Sequence, residues 1–145
     1  MTPGGKGTRS GKNWERVILP VLEIHYPGRF QTQVPIGVQI YGGTYYADLV
    51  IEDPNGNVIV SAKWQQVPGT AEQKIIYDIA SLINIMKRSP GRCRKCYVVL
   101  GGPGFSNGAR SFLLGQGHRQ IFANADLVEV ISLDGFLARA NQGTL

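Results

Sequence analysis

Thr44 to Gln66 reads TYYADLVIEDPNGNVIVSAKWQQ, and how this stretch pairs with itself decides the fold. Two runs rich in β-branched and aromatic residues flank Pro54-Asn55-Gly56-Asn57. Asn-Gly between such runs is the strongest short-range signal for a β-hairpin. The runs predict strands over Thr44–Asp53 and Val58–Trp64. A two-residue loop at Asn55-Gly56, or a four-residue loop from Pro54 to Asn57, puts Asp48 opposite Lys63 and Val50 opposite Ser61. Directly opposed residues point to one side of the sheet with Cβ atoms about 4.5–5.5 Å apart, so the register makes a lone acid and a lone amine neighbours. A cross-strand ion pair worth roughly 0.2–1 kcal/mol is the simplest account. Against it stands the run Tyr45–Ile51, whose apolar character predicts burial on both faces, where an idle charge is expensive.

Outward from the hairpin, the chain alternates helical and extended patterns. Asn13 is a candidate N-cap for a helix to about Tyr26, with Trp14, Val17, Ile18, Val21 and Leu22 as its apolar stripe. Pro20 is expected to kink or split it, and Pro27-Gly28 to end it. Phe30 to Ile40 predicts a strand, with Pro35 marking an edge or a bulge. A helix is expected from Thr70 to about Met86, opened by a capping box of Thr70 with Gln73. Glu72, Ile76, Ile79 and Ile83 form one line along it, three of them apolar, so Glu72 is expected near the end of the Lys63 strand as a second carboxylate. Strands follow at Cys96–Leu100 and Leu127–Ser132, with a helix over Arg110–Asn124 interrupted by Gly115 and Gly117, and another over Asp134–Asn141. Gly101-Gly102-Pro103-Gly104 lacks the Lys-Ser/Thr of a P-loop. The order α-β-β-β-α-β-α-β-α is an antiparallel meander followed by crossovers.

At 145 residues and 43% hydrophobic content, the chain predicts a flexible, basic, Gly-rich segment over residues 1–12 and a single domain over 13–145. No apolar run approaches the length needed to cross a bilayer and no signal-peptide pattern opens the chain, so a cytoplasmic setting is expected. The net charge of +5 permits a polyanionic partner. Lys6, Arg9, Lys12 and Arg16 form one basic run; Lys87, Arg88, Arg92, Arg94 and Lys95 form another. Each is read equally well as a phosphate-facing surface or a solvated face. Cys93-Arg94-Lys95-Cys96 is a lone CxxC, with His25 and His118 distant in sequence. That spacing implies no four-ligand zinc site, and a CxxC that precedes a strand is a weak redox signal, so reduced thiols are expected.

Ala47-Asp48 on one strand, Ser61-Ala62-Lys63 on the next and the helix from Thr70 together resemble the PD-(D/E)XK nuclease superfamily. Its hallmark is an Asp, then an acidic-X-Lys, in an αβββαβ core. The resemblance implies a restriction-endonuclease-like α/β fold of three layers around a mixed sheet, and covers roughly Gly7 to Leu100. The segment GTRSGKNWE is similar to the opening of archaeal Holliday junction resolvase-like members, which makes Glu15 a possible accessory metal ligand. Gln73 and Tyr77 match the Gln-x3-Tyr helix motif of exonuclease-type branches. One position departs from the pattern: the second acid is replaced by Ser61. Some restriction-endonuclease branches carry Ser-X-Lys here and draw the missing carboxylate from the next helix. Glu72 is the first choice for it, and Asp78, two turns further on and on a different side, the second.

The chemistry implied by the resemblance is Mg²⁺-dependent hydrolysis of DNA phosphodiester bonds, with Mn²⁺ as a substitute. Asp48, Glu72 and the Ala62 carbonyl would hold the metal, beside Ser61, and Lys63 would orient the attacking water or steady the phosphate. Mg²⁺ takes hard oxygen ligands and is often held by only one or two carboxylates, so the set is sufficient. Lys12, Arg88, Arg92 and Arg94 would contact phosphates; Gln65, Gln66, Gln73 and Tyr77 are further candidates on the nucleic-acid side. Trp64, Tyr45 and Tyr46 are read as core or rim residues before base-stacking ones. A homodimer or higher homo-oligomer is expected, since a short chain reaches both strands most economically in two copies. The alternative is a binding or assembly module on the same fold that has lost cleavage; a thiol-redox role for Cys93 and Cys96 is weaker.

Overall fold

The structure is a computed structural model and describes residues 13–89 and 91–145. Lys6, Arg9, Lys12 and the expected flexible segment over 1–12 lie outside the described residues. Five strands form one sheet in sequence order: β1 Phe30–Val38, β2 Thr44–Ile51, β3 Asn57–Trp64, β4 Cys93–Gly101 and β5 Val128–Ser132. The first three pair antiparallel; β3, β4 and β5 run parallel. The sheet is mixed, as expected.

Two helical layers cover it. Alternation along β3 and β4 separates the inward side chains into two cores. Ile59, Cys96, Val98 and Leu100 pack with Ile75, Ile79 and Leu82 of α2, which spans Lys74–Arg88. Val58, Val60, Tyr97 and Val99 pack on the other face with Trp14, Ile18 and Leu22 of α1 (Asn13–His25) and Phe136 of the last helix, Leu133–Asn141. Between β4 and β5 lie α3 (Asn107–Leu114) and α4 (His118–Ile121), divided at Gly115–Gly117 where the sequence placed the interruption; Leu133–Asn141 is α5.

Several local expectations are corrected. The β2–β3 pairs are Leu49 with Val60, Val50 with Ile59 and Ile51 with Val58, two positions away from the register read from Asn-Gly. Asn55-Gly56 is not a two-residue loop. The Gly56 amide donates to the Asp53 carbonyl and the Asp53 carboxylate accepts from the Asn55 amide, so the turn centres on Pro54-Asn55 inside a longer connection. A two-position shift preserves the sheet face, since side chains alternate with period two. Continuing the observed register puts Ser61, not Lys63, across from Asp48.

Helix α2 starts differently too. Thr70–Gln73 is a 3₁₀ turn preceded by Gly69, and no side-chain cap forms, so the capping box is absent. Pro20 neither splits α1 nor is buried; it lies on the exposed face, where water can satisfy the carbonyl it leaves unpaired. Strand β4 begins at Cys93, so the CxxC lies within the strand rather than before it.

Candidate active site

The β2–β3 ladder stops at Leu49. Beyond it the Ala62 amide donates to the Asp48 side chain, at Oδ2, over 2.7 Å. In extended backbone a residue's N–H and C=O point to the same side, so the Ala62 carbonyl also looks toward β2. Asp48 thus sits where the two strands part.

Lys63, the next residue and on the α2 side of β3, pairs with Asp78 Oδ2 at 3.2 Å. The same oxygen accepts from the Tyr45 hydroxyl at 2.8 Å and the Ser61 hydroxyl at 3.0 Å, while the Tyr45 and Ser61 oxygens lie 3.1 Å apart. Among the described residues Asp78 Oδ2 takes all of these contacts and Oδ1 takes none. Asp78 is 16% exposed and Lys63 29%, so the pair sits at the mouth of a recess rather than on open surface. Ala62, Lys63, Ala71, Ile75 and Phe105 line a cavity of about 190 Å³ beside it.

The electrostatics join the two carboxylates. Burial pushes the Asp48 carboxyl above its ordinary value; the Ala62 amide, the Lys63 ammonium and the Gln33 amide pull it back, and the Asp78 charge raises it again. Asp48 therefore senses both members of the Lys63–Asp78 pair. Burial, with the nearby Asp78 charge, likewise keeps the Tyr45 phenol protonated as a donor. A desolvated carboxylate repelled by a second one is an environment that a cation relieves. The donor set is hard oxygen: two carboxylates and a backbone carbonyl. Among the described residues no group of three or more His, Cys, Asp and Glu side chains comes together, so a cation held here would have at most two carboxylates and would need further oxygens from backbone, water or substrate.

Asp48, Ser61, Ala62 and Lys63 are thus brought together, and the others are not. Glu72 accepts from the Ser106 amide and hydroxyl, each at 2.9 Å, at the N-terminus of α3. Glu15 lies on α1, in the layer opposite α2, and no hydrogen bond joins it to Asp48 or Asp78. Gln65 is buried, its amide donating to the Gly104 carbonyl at 3.1 Å, so it ties two loops together. Tyr77 donates to Gln39 Oε1, accepts from the Tyr41 amide and stacks on the Tyr41 ring at 5.1 Å, bracing the β1–β2 hairpin tip. Arg94 pairs with Asp53 at 3.3 Å, and Lys95 with Glu129 at 2.7 Å; both basic groups are committed within the chain. Gln73, Arg88 and Arg92 are exposed. Tyr45 belongs to the core, and Tyr46 is exposed. Cys93 and Cys96 are unbridged, and burial raises both thiols, most strongly Cys96.

The sequence reading placed Asp78 second and did not single out Gln33. Asp78 ranked second because the helix was phased from Thr70, whereas a 3₁₀ turn advances three residues per turn and shifts the α-helical phase after it. Phased from Lys74, the line Ile75, Asp78, Leu82, Ile85 shows one acid among three buried apolar residues. Gln33 carried no signal beyond its polarity.

The profile of the PD-(D/E)XK nuclease superfamily domain matches residues 6–144, nearly the whole chain. No curated protein matches. Among solved structures, one described as a protein of unknown function aligns at a TM-score of 0.51 with 15% identity, over 84% of this chain and 57% of that one; this chain spans little more than half its length. The small subunit of the heterodimeric restriction endonuclease R.BspD6I aligns at a TM-score of 0.47 with 13% identity, over 92% of this chain and 67% of that one. At 15% identity the first of these speaks to the fold alone. The profile match, over a core built as β-hairpin, third strand and packed helix, shows that the chain belongs to the PD-(D/E)XK nuclease superfamily.

Proposed function

We propose that this chain is a metal-dependent DNA endonuclease whose two metal-binding carboxylates are Asp48 on β2 and Asp78 on α2. The observation that carries the reading is the 3.2 Å Lys63–Asp78 pair at the mouth of the recess, with Asp48 close enough on β2 to feel both charges. The carboxylate absent from position 61 is supplied from the helix, and Ser61 serves it by donating to Asp78 Oδ2. Glu72 is set aside because both its oxygens are engaged by Ser106.

Each residue then has a defined task. The Ala62 amide fixes the Asp48 rotamer, and the Ala62 carbonyl offers a third oxygen. Tyr45 and Ser61 hold Asp78 so that Oδ1 is the oxygen left to bind. Lys63 holds its cation between the helix carboxylate and the recess, where it meets a scissile phosphate or orients a water. When bound, Mg²⁺ or Mn²⁺ supplies Lewis acidity toward the phosphoryl oxygen and lowers the pKa of a coordinated water. Arg88 and Arg92, exposed with Lys87 near the end of α2, are among the basic side chains available to DNA phosphates. A homodimer would set two such recesses on two strands.

Cleavage of supercoiled, linear and branched DNA in Mg²⁺ tests this, comparing wild type with Asp48→Ala, Lys63→Ala and Asp78→Ala. Metal-dependent cleavage lost in all three variants is expected. Wild-type protein that binds DNA and cuts none of these substrates would leave the second reading, a binding module, which the serine at position 61 favours.

A further inference from the structure

The rung of the β1–β2 ladder that contains Asp48 is broken on both strands. Thr32 pairs with Leu49 and Val34 with Ala47, yet Gln33 and Asp48 between them do not pair. Gln33 has φ 52°, in the left-handed region that few non-glycine residues occupy. On β2, Tyr45 and Ala47 pack toward α2, whereas Leu49 and Ile51 pack toward α1. On β1, Phe30 joins the α1 side, whereas Val34 and Ile36 join the α2 side. Both strands therefore change face at one rung, and the left-handed residue is the hinge of that change.

The Gln33 side chain itself is not held there by packing. Gln33 is exposed on an edge strand. Its side chain reaches back across the broken rung, Nε2 donating to Asp48 Oδ1 at a long 3.4 Å. With the Ala62 amide on Oδ2, each Asp48 oxygen then has one donor, and the carboxylate plane is fixed from both sides. Strain held at one residue facing a functional carboxylate is the pattern expected of pre-organisation.

We propose that Gln33 is a positioning residue: its left-handed backbone opens the β1–β2 rung and its amide aims Asp48 toward a divalent cation. This rests on the reading of Asp48 as a metal ligand. It predicts that stability and metal affinity respond in opposite directions at this one position.

The test uses Gln33→Gly, which accepts the left-handed backbone without strain and lacks the amide, and Gln33→Asn, which tolerates that backbone but is one methylene short. Thermal unfolding should show both variants at least as stable as wild type. Mn²⁺ affinity by calorimetry should fall about 10–100-fold, the usual loss on removing an outer-shell partner. In the metal-free proteins at fixed pH, the carbon-13 resonance of the Asp48 carboxyl should move relative to wild type. Unchanged affinity and an unmoved resonance would overturn the proposal, as would a fall in stability in step with affinity, which would make Gln33 merely structural. Neither readout needs cleavage, so an inactive wild type would count against the nuclease reading while leaving this inference decided by the carboxyl resonance.

Discussion

Glu72→Ala separates a structural acid from a metal ligand. Its two oxygens accept from the Ser106 amide and hydroxyl at 2.9 Å each, and the Ser106 hydroxyl in turn accepts from the Ala109 amide, so the carboxylate completes the N-terminal cap of α3. Hydrogen bonds to a charged acceptor contribute about 1.5–3 kcal/mol where water is excluded, but these groups are solvent-accessible and water replaces part of the loss. About 1 kcal/mol for the bonds, with roughly 0.3–1 kcal/mol for an anion at a helix N-terminus, gives a destabilisation of about 1–2 kcal/mol. For a domain of this size that corresponds to a fall in Tm of roughly 3–7 °C. Thermal unfolding followed by circular dichroism, with a Mg²⁺ titration of the same protein, reads both quantities. The expected result is a lowered Tm with Mg²⁺ affinity unchanged, while Asp78→Ala loses Mg²⁺ affinity outright. A Glu72→Ala protein that keeps its Tm and binds Mg²⁺ ten-fold more weakly would refute the reasoning and return Glu72 to the metal site.

Four further outcomes follow from the geometry. Because burial raises the folded-state pKa of Asp48 above its unfolded value, the native protein holds the extra proton between the two, and stability falls as pH rises through that window. Asp48→Asn should therefore be more stable than wild type at pH 7, with the gain shrinking as pH drops toward 4, as urea unfolding at several pH values would show. Tyr45→Phe removes the donor to Asp78 Oδ2 from a buried position and should lower stability by about 1–2 kcal/mol in chemical denaturation, along with Mg²⁺ affinity. Gly102 has φ 88°, and a Cβ there would lie 2.4 Å from the Gln65 carbonyl oxygen; Gly102→Ala should cost over 2 kcal/mol and loosen the end of β3, seen as faster amide exchange at Gln65. With burial raising both thiols, native protein at pH 7.5 should react with iodoacetamide slowly at Cys93 and not at Cys96, whereas urea-unfolded protein should react at both.

The sheet and its helical layers were legible because their signals are repeated over many residues. Alternation in Thr44–Trp64 and the apolar stripes of Trp14–Leu22 and Ile75–Met86 each place several side chains, so an error at one residue leaves the element standing. Register was not, because it depends on a single turn: Asp53 captures the Asn55 amide and moves the reversal one residue toward the N-terminus. The misread register did little harm, since Ser61 and Lys63 share a face and Asp48 meets that face either way. Asp78 was placed behind Glu72 for a related reason, as the 3₁₀ turn altered the helical phase between Glu72 and the helix that follows. Burial of Gln65 and the ion pairs of Arg94 and Lys95 escaped a reading that assigns polar residues to the surface by type. Asp53 and Glu129 lie far from those partners along the chain, and only the fold brings them within reach.

Drawing one acid from a ribbon and the other from a helix also has a kinetic meaning. The β2–β3 hairpin closes locally, but Asp78 reaches the recess only once Ile75, Ile79 and Leu82 have docked against the sheet. A nascent or partly unfolded copy carries a single carboxylate at that spot, one short of the proposed pair. On the proposed function, the hydrophobic core would act as a safety catch, completing the metal-binding pair only when the chain has finished folding.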